Sequence, residues 1–183
     1  YAGFGCGPAR QSRGGFPNCR SVVFRGAYPF AELRFRDPAF PGEVLLRAFN
    51  PLIPLNDRDS SLPAAFFTLT FRNPTADPLT FTAALTVHNP LAENTVNART
   101  ATPGATLMAL RSSSLAADST AYGNLAFGTD AAAVSGQEYW FRGSWFDNLG
   151  IYWRDFIRPG ALENRHYEAP GKGDHATLAV RLE

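Results

Sequence analysis

A chain of 183 residues with 45% hydrophobic and 13% aromatic residues is long enough for one domain with a substantial core. This composition argues against intrinsic disorder and a coiled coil, and no apolar run approaches the roughly 20 residues of a membrane span. The formal net charge of +1 argues against a nucleic-acid or anionic-membrane surface built on bulk charge. The 16 glycines and 14 prolines are typical of a β protein rich in loops.

Residues 1–19 predict an irregular arm, because this segment contains five glycines and two prolines. Both cysteines of the chain, Cys6 and Cys19, lie in it. A disulfide between them would close a short loop and would favour a secreted or periplasmic location over a cytoplasmic one. Two free thiols are the alternative. A zinc site would need further ligands at metal spacing, which the sequence does not offer, and no cofactor or metal is expected.

At Arg20 the pattern changes to short runs of β-branched and aromatic residues separated by turn residues, which predicts antiparallel strands. In one run, Ala31, Leu33 and Phe35 alternate with polar neighbours, as in a strand with one apolar face. The fourth and fifth runs are joined by a connector with two prolines and an aspartate, which predicts a hairpin. The predicted strands cover residues 20–26, 28–37, 43–50, 64–73, 79–89, 106–113, 122–129 and 175–183.

One segment, SWFDNLGIYWRDFIRPG, has its large apolar residues at helical spacing. Ser144 and Asp147 resemble a capping box, and Pro159 with Gly160 forms a stop signal. Gly150 inside the segment costs about 1 kcal/mol relative to alanine, so the helix requires tertiary packing. The elements together predict an all-β fold: an antiparallel β-sandwich with one short helix at about residues 145–158 and an irregular N-terminal arm.

Motifs of nucleophilic, metalloprotease, dinucleotide and phosphate-binding sites are missing from the sequence. The three histidines are scattered, and a structural role is the simplest interpretation of His88 at a strand end. Sixteen acidic residues are present, but their spacing does not nominate an acid/base pair. Asp147 and Asp155, which flank the predicted helix, are most simply a cap and a solvated charge.

The connection FNPLIPLNDRDSSLPAAFF (49–67) combines three stiffening prolines with polar turn residues that include Asp59 and Ser60. Apolar residues among these polar groups indicate a loop that packs against something. Two interpretations remain open: a folded crossover between sheets, or a loop that docks on a partner or lines the mouth of a cleft.

All three tryptophans, Trp140, Trp145 and Trp153, lie in the block EYWFRGSWFDNLGIYWRDF (138–156). Sugars stack on aromatic rings, and the charged groups of Asp147, Arg154 and Asp155 could bind sugar hydroxyls. The alternative is that these rings are buried in the sandwich or against a neighbouring domain, which is the usual role of aromatics at helical spacing.

These segments, in this order, resemble the N-terminal domain of glycoside hydrolase family 116, the family of bile-acid or non-lysosomal β-glucosidases (glucosylceramidases) and their bacterial relatives. The similarity extends over most of the chain from Phe16 to Glu183, and DSSLPAA after the I-P-L triplet is its most specific element. The other matching segments are RSVVFRGAYPFAELRF (20–35), NPLIPLNDRDSSLPAAFF (50–67), TVHNP (86–90), AYGNLAF (121–127) and the tryptophan-rich stretch 140–156.

The resemblance implies a β-sandwich followed by a larger (α/α)6 catalytic domain, with residues 1–19 as an arm and residues 20–183 as a sandwich truncated before that domain. The family hydrolyses β-glucosides with retention, using two carboxylates about 5–5.5 Å apart that lie in the helical domain. Neither carboxylate therefore maps onto this sequence. The implied partners are the catalytic domain or subunit and, through the parent enzyme, a β-glucoside, with no nucleic acid. Candidate residues for the substrate cleft or domain interface are Asp59, Ser60, Trp145, Asp147, Trp153, Arg154 and Asp155.

A different class of function also fits the sequence. The chain could be a stand-alone carbohydrate-binding module with exposed tryptophans, or a structural assembly module that pairs through an open sheet edge.

Overall fold

A computed structural model describes residues 16–91, 93–142, 148–172 and 174–183. The all-β class is confirmed: strands predominate, and they form three antiparallel sheets. Among the described residues, the helices are too short and too polar to span a membrane. The strands are β1 (Ser21–Ala27), β2 (Phe30–Arg36), β3 (Glu43–Phe49), β4 (Phe66–Arg72), β5 (Phe81–His88), β6 (Thr95–Thr102), β7 (Ala105–Ser112), β8 (Leu125–Thr129), β9 (Val134–Gln137) and β10 (His175–Leu182), and the helices are α1 (Asp57–Ser60) and α2 (Asn148–Phe156).

Residues 17–81 form one compact unit, which is an antiparallel meander in the order β1-β2-β3-β4. The register places Phe24 opposite Leu33, Leu33 opposite Leu46, and Leu46 opposite Leu69. Side chains that are paired across an antiparallel sheet lie on the same face. The alternation predicted for β2 therefore continues across all four strands and separates an apolar face from a charged one.

Phe16 and residues 82–182 belong to a second compact unit, which is a two-layer sandwich. One layer has the order β5-β10-β9 and the other has the order β6-β7-β8. The core between them consists of Met108 and Leu110 from β7 packed with Ala176 and Leu178 from β10. Burial of these side chains holds the two layers together, while Ala179 on the other face of β10 belongs to a second cluster with Trp140, Tyr152 and Leu162.

The predicted hairpin between residues 64–73 and 79–89 is wrong. β4 pairs with β3, whereas β5 joins the sheet of β9 and β10. The connector explains the difference, since the Asn73 side chain accepts from the Thr75 amide (2.9 Å) and donates to the Asp77 carbonyl (2.7 Å). The turn is closed by its own polar groups and does not need paired strands on either side.

The predicted helix is confirmed over Asn148–Phe156 and ends slightly earlier than expected, while its predicted start at residues 145–147 lies outside the described residues. Two strands, β6 and β9, were not predicted. β6 buries the polar residues Thr95 and Asn97, and β9 consists mainly of small or polar residues. Neither strand shows the apolar alternation from which a strand is predicted.

Candidate functional site

The aromatic block of the second unit is organised around Trp140, which is almost completely buried. Its indole lies between Tyr152 of α2, with ring centroids 4.3 Å apart, and His175 of β10, with centroids 4.4 Å apart. The indole nitrogen donates to the Thr177 hydroxyl at 2.8 Å, so its polar group is satisfied. Helix α2 is thereby fixed to β10, which is the tertiary packing that Gly150 made necessary.

Trp153 lies on the same helix and is half-buried. Its ring packs on Phe16 (5.1 Å between centroids) and on Phe156 (5.7 Å). Trp140 and Trp153 thus contribute to the interior of the module and are not displayed as a flat platform. Trp145 and Asp147, the other two candidates from this block, lie outside the described residues.

Asp155 is buried and anchors the helix through ionic contacts. Its carboxylate accepts from Arg165 at 2.6 Å and lies 3.4 Å from the guanidinium of Arg154, which is otherwise exposed. Arg165 also donates to the Trp140 carbonyl, so the ion pair joins the helix to the aromatic stack. Burial opposes the charge on Asp155, but Arg165 and then Arg154 outweigh it and hold the pKa of this carboxyl below its usual range.

A second polar network, which the sequence did not indicate, links the segment after β5 to β6 and to the segment after β9. Asn89 donates to the Asn97 side chain at 2.8 Å, and Asn97 donates to the Glu138 carbonyl at 2.7 Å. The backbone amide of Asn97 donates to the Tyr139 hydroxyl. The Glu138 carboxylate accepts from the backbone amide of Arg99 and contacts the His166 ring. The available signal was the two asparagines themselves, but single polar residues in a sequence do not reveal their partners.

Arg142 forms a further buried contact that the sequence did not indicate. Its guanidinium lies 3.7 Å above the Tyr139 ring and 4.9 Å from the Tyr167 ring. The same group is 3.3 Å from the Asp174 carboxylate and donates to the Ala169 carbonyl. These contacts fix the 165–174 connection onto the sandwich by cation–π and ionic attraction.

Asp59 and Ser60 belong to the first unit and form the second half of the short helix α1. The Asp59 carboxylate accepts from the Asn56 amide at 2.8 Å, and the Ser60 hydroxyl exchanges hydrogen bonds with the backbone of Ile53. Both side chains are engaged within their own loop. Trp153, Arg154 and Asp155 belong to the second unit, so the described candidates are divided between the two units.

The first unit also has an open depression of about 440 Å³ that contains two carboxylates, Asp37 and Glu43. The amides of Ala39 and Arg20 donate to Asp37 at 2.8 Å and hold the pKa of its carboxyl below its usual range. Glu43 lies 3.5 Å from Arg72 and 4.0 Å from Arg36. The general acid of a glycosidase needs a raised pKa, so Asp37 and Asp155 are both unsuited to that role.

The possible metal ligands and the two cysteines are the other groups that could carry chemistry. In the part of the chain that the structure describes, histidine, cysteine and acidic side chains do not gather in groups of three or more. Cys19 is exposed, and Cys6 lies outside the described residues, so the disulfide between them stays a prediction.

One face of the four-stranded sheet, which we call the apolar sheet face, exposes large apolar side chains. It contains no polar side chain, and four of its large apolar residues are more than 40% exposed: Val22, Phe24, Phe67 and Leu69. Phe81, with Phe40 beside it, packs on Phe71 at one corner. The face consists of Val22, Phe24 and Gly26 of β1, Ala31, Leu33 and Phe35 of β2, Val44, Leu46 and Ala48 of β3, and Phe67, Leu69 and Phe71 of β4.

The opposite face of the same sheet, which we call the charged face, carries charged residues beside a group of three aromatic rings, Phe30, Phe49 and Phe66. Glu32 pairs with Arg34 at 3.0 Å and with Arg47 at 3.4 Å, and these arginines hold the pKa of its carboxyl below the usual range. A sheet with one solvated face normally covers its other face. The exposed apolar sheet face is therefore a surface suited to contact with another protein layer.

The described residues thus form two all-β units: a four-stranded sheet with an exposed apolar face, and a sandwich in which buried aromatic and ionic contacts fix helix α2. A protein-family model described as "beta-glucosidase 2, glycosyl-hydrolase family 116 N-term" matches residues 6–183, and the chain belongs to this family. The resemblance inferred from the sequence is confirmed. No curated protein matches the chain. Because the family is that of an N-terminal part, a linked catalytic domain is implied in the parent enzyme.

Proposed function

We propose that this chain is the accessory β-sandwich module of a retaining β-glucosidase, and that its apolar sheet face packs on a linked (α/α)6 catalytic domain. The module would then frame one side of the substrate cleft, while the helical domain would supply both carboxylates for hydrolysis of a β-glucoside. The observation that carries this proposal is an uncharged apolar face in a chain that belongs to an N-terminal hydrolase family.

The size of the apolar sheet face favours a linked domain over a second copy of the chain. Four strands of seven residues give a face of about 20 Å by 20 Å, or roughly 400 Å². A symmetric dimer through this face would bury roughly 800 Å² in total, which is less than the roughly 1,200–2,000 Å² of stable complexes. Interfaces between domains of one chain begin at about 600 Å², because linkage raises the effective concentration.

The proposal also accounts for the candidate residues. Trp153 and Asp155 stabilise the module, and both catalytic carboxylates would lie outside it. Glucosylceramide is the substrate class suggested by the family resemblance, and the module would affect its hydrolysis only through the shape of the cleft. Asp59, Ser60 and Arg154 remain candidates for contact with the domain interface.

The first experiment is to sequence the genomic DNA on both sides of the region that encodes residues 1–183. We expect it to encode, in the same or an adjacent reading frame, a helical domain with two acidic residues about 5–5.5 Å apart when folded. The complete polypeptide should hydrolyse 4-nitrophenyl β-D-glucopyranoside. If neither reading frame encodes a helical domain, the proposal fails.

A matched pair of variants then tests the apolar sheet face. Val22 lies on that face and is 48% exposed, whereas Val23 lies on the charged face and is 53% exposed. In the complete polypeptide, Val22→Glu should lower the free energy of unfolding by about 2 kcal/mol, because it buries an unpaired charge at the interface. Val23→Glu should change it by less than about 0.5 kcal/mol. Equal effects of the two substitutions would contradict docking through this face.

A second candidate function, an assembly module that pairs through an open sheet edge, is supported by β1. All seven of its residues are exposed, and it is an edge strand of its sheet. An exposed edge strand can accept a further strand from another chain. Light scattering on the 183-residue chain tests this function: an oligomer that is lost on substitution of Val23 by proline supports it, and a monomer at millimolar concentration argues against it.

A further inference from the structure

The connection between β3 and β4, which we call the 50–64 loop, is folded on itself. Its base is closed by the Asn50 side chain, which donates to the Ala64 carbonyl at 2.7 Å. Further along, the Ile53 amide donates to the Ser60 hydroxyl at 3.0 Å, and the same hydroxyl donates to the Ile53 carbonyl at 3.1 Å. The loop is therefore held in one conformation by bonds that it makes internally.

The polar residues at the tip of the 50–64 loop are also engaged within it. The Asn56 side chain accepts from the Asp59 amide at 3.0 Å and donates to the Asp59 carboxylate at 2.8 Å. The Ser61 hydroxyl donates to the Asp57 carbonyl at 2.5 Å. These bonds form the cap and the first turn of α1 and leave few polar groups for an outside ligand.

The apolar side chains of the 50–64 loop are exposed to solvent, unlike its polar groups, which form hydrogen bonds within the loop. Leu52, Ile53 and Leu62 are each about half exposed, and Leu55 is fully exposed. Scattered single apolar residues on a surface need no explanation, but here four exposed aliphatic residues belong to one short loop. The loop thus uses its polar groups to fix its shape and presents its aliphatic groups outward.

Leu55 is unfavourable in two ways. Its φ of +65° lies in the left-handed region, which a leucine rarely adopts and which glycine and asparagine adopt readily. Its side chain is also completely in water. Asparagine at this position would remove both disadvantages, so the local structure gives no reason for a leucine. Strain that the surroundings do not explain is typical of ligand contacts.

We propose that the 50–64 loop is a preformed docking projection whose Leu55 side chain inserts into an apolar recess of the linked catalytic domain. This inference rests on the proposed function and specifies a second point of contact. A loop that is already fixed loses little conformational entropy on docking. The charges of the loop disfavour a lipid surface as its partner. Two aspartates, Asp57 and Asp59, follow Leu55 closely in the sequence with one basic residue, Arg58, between them, and membrane surfaces are anionic.

The test uses Leu55→Asn, which keeps the left-handed conformation and removes the aliphatic group. In the 183-residue chain, the substitution should raise Tm by about 2 °C, because the strain is relieved. In the complete polypeptide, it should instead accelerate thermal loss of 4-nitrophenyl β-D-glucopyranoside hydrolysis about tenfold, because a buried leucine contact is lost. Asn94→Gly is the control, since Asn94 also has a positive φ (+51°) but no apolar side chain. Asn94→Gly should change the thermal stability of the 183-residue chain and of the complete polypeptide in the same direction.

The outcomes separate this inference from the proposed function. If Leu55→Asn stabilises both proteins while Val22→Glu still destabilises the complete polypeptide more than Val23→Glu, the docking projection is disproved and the proposed function stands. If no helical domain is encoded, the proposed function fails first. Binding of the 183-residue chain to phosphatidylcholine vesicles that is lost in Leu55→Asn would overturn the inference in favour of lipid. A dimer that is lost in the same variant would overturn it in favour of a second copy.

Discussion

Trp140 and Tyr152 lie face to face, with ring centroids 4.3 Å apart and ring planes inclined by 10°. The contact joins the segment after β9 to helix α2, and the fully buried indole has His175 on its other side. Stacked aromatic pairs add roughly 0.5–1.5 kcal/mol to the free energy gained from burial alone. This contact and the ion pair between Asp155 and Arg165 both restrain α2.

Trp140→Ala should lower the free energy of unfolding by about 3–5 kcal/mol, because it leaves a large cavity at an almost completely buried position, although the Thr177 hydroxyl keeps its hydrogen bond to Thr86. Trp153→Ala should cost only about 2 kcal/mol, because that ring is half-buried. Urea denaturation of the 183-residue chain measures both values. An equal and small effect of the two substitutions would show that the rings are exposed in solution and would revive the sugar-binding interpretation.

The sequence was informative where the pattern of apolar residues was regular. The alternation of Ala31, Leu33 and Phe35 predicts β2 and its two faces, and the helical spacing in the tryptophan-rich block predicts α2. In both segments the local pattern coincides with the final packing. The class of fold could be predicted for the same reason, whereas the family was indicated by the resemblance of specific segments such as DSSLPAA (59–65).

Pairings between distant residues could not be predicted. β5 joins β10, about 90 residues away, although its composition also suits a hairpin with β4. Likewise, the ion pair between Asp155 and Arg165 depends on where the chain returns after α2. The sequence indicated an apolar face for the first sheet, but it could not indicate that the face stays exposed, because exposure depends on what the rest of the chain covers.

Asp155→Asn should lower the free energy of unfolding at pH 7 by about 3 kcal/mol, since Arg165 would remain partly buried without its ionic partner. The folded-state pKa of Asp155 lies below its usual value, whereas the unfolded value is about 3.9. Its ionic stabilisation is thus fully present above about pH 5 and is lost as the pH falls through the folded-state pKa. Denaturation between pH 7 and pH 2 should therefore show a shallower acid loss for Asp155→Asn than for the unmodified chain.

The exposed carboxylate of Asp118 provides the control for this prediction. Asp118→Asn should leave both the stability at pH 7 and its acid dependence nearly unchanged, because a surface carboxylate without close partners contributes little. Parallel acid curves for Asp155→Asn and the unmodified chain would contradict the assigned role of the buried ion pair.

Gly171 lies where a side chain would disturb the Arg142 contact. A Cβ atom at this position would meet the Asp174 carboxylate and the Arg142 guanidinium, which are held 3.3 Å apart in their ion pair. The backbone of Gly171 also forms two hydrogen bonds with the backbone of Thr95: the Gly171 carbonyl accepts at 2.8 Å and the Gly171 amide donates at 2.9 Å. The glycine therefore cannot move away freely. We expect Gly171→Ala to cost about 2 kcal/mol in the free energy of unfolding.

A double-mutant cycle tests the cause of that loss. In an Asp174→Ala background, Gly171→Ala should cost at least 1 kcal/mol less, because the clashing carboxylate is gone. Gly123→Ala, where no heavy atom lies within 4 Å of the added Cβ, should be close to neutral in either background. A full cost of Gly171→Ala in both backgrounds would show that the clash with Asp174 is not responsible.

Gly150 and Gly104 differ in backbone conformation and share an open environment. Neither has a heavy atom within 4 Å of an added Cβ, but Gly150 is helical and Gly104 has a φ of +85°. Gly150→Ala should therefore raise the free energy of unfolding by about 0.5–1 kcal/mol, through the higher helix propensity of alanine. Gly104→Ala should lower it by about 1 kcal/mol, because alanine is strained at a positive φ. Thermal melts should show opposite shifts of about 2–4 °C, and shifts of the same sign would contradict the helix over Asn148–Phe156 or the turn at Gly104.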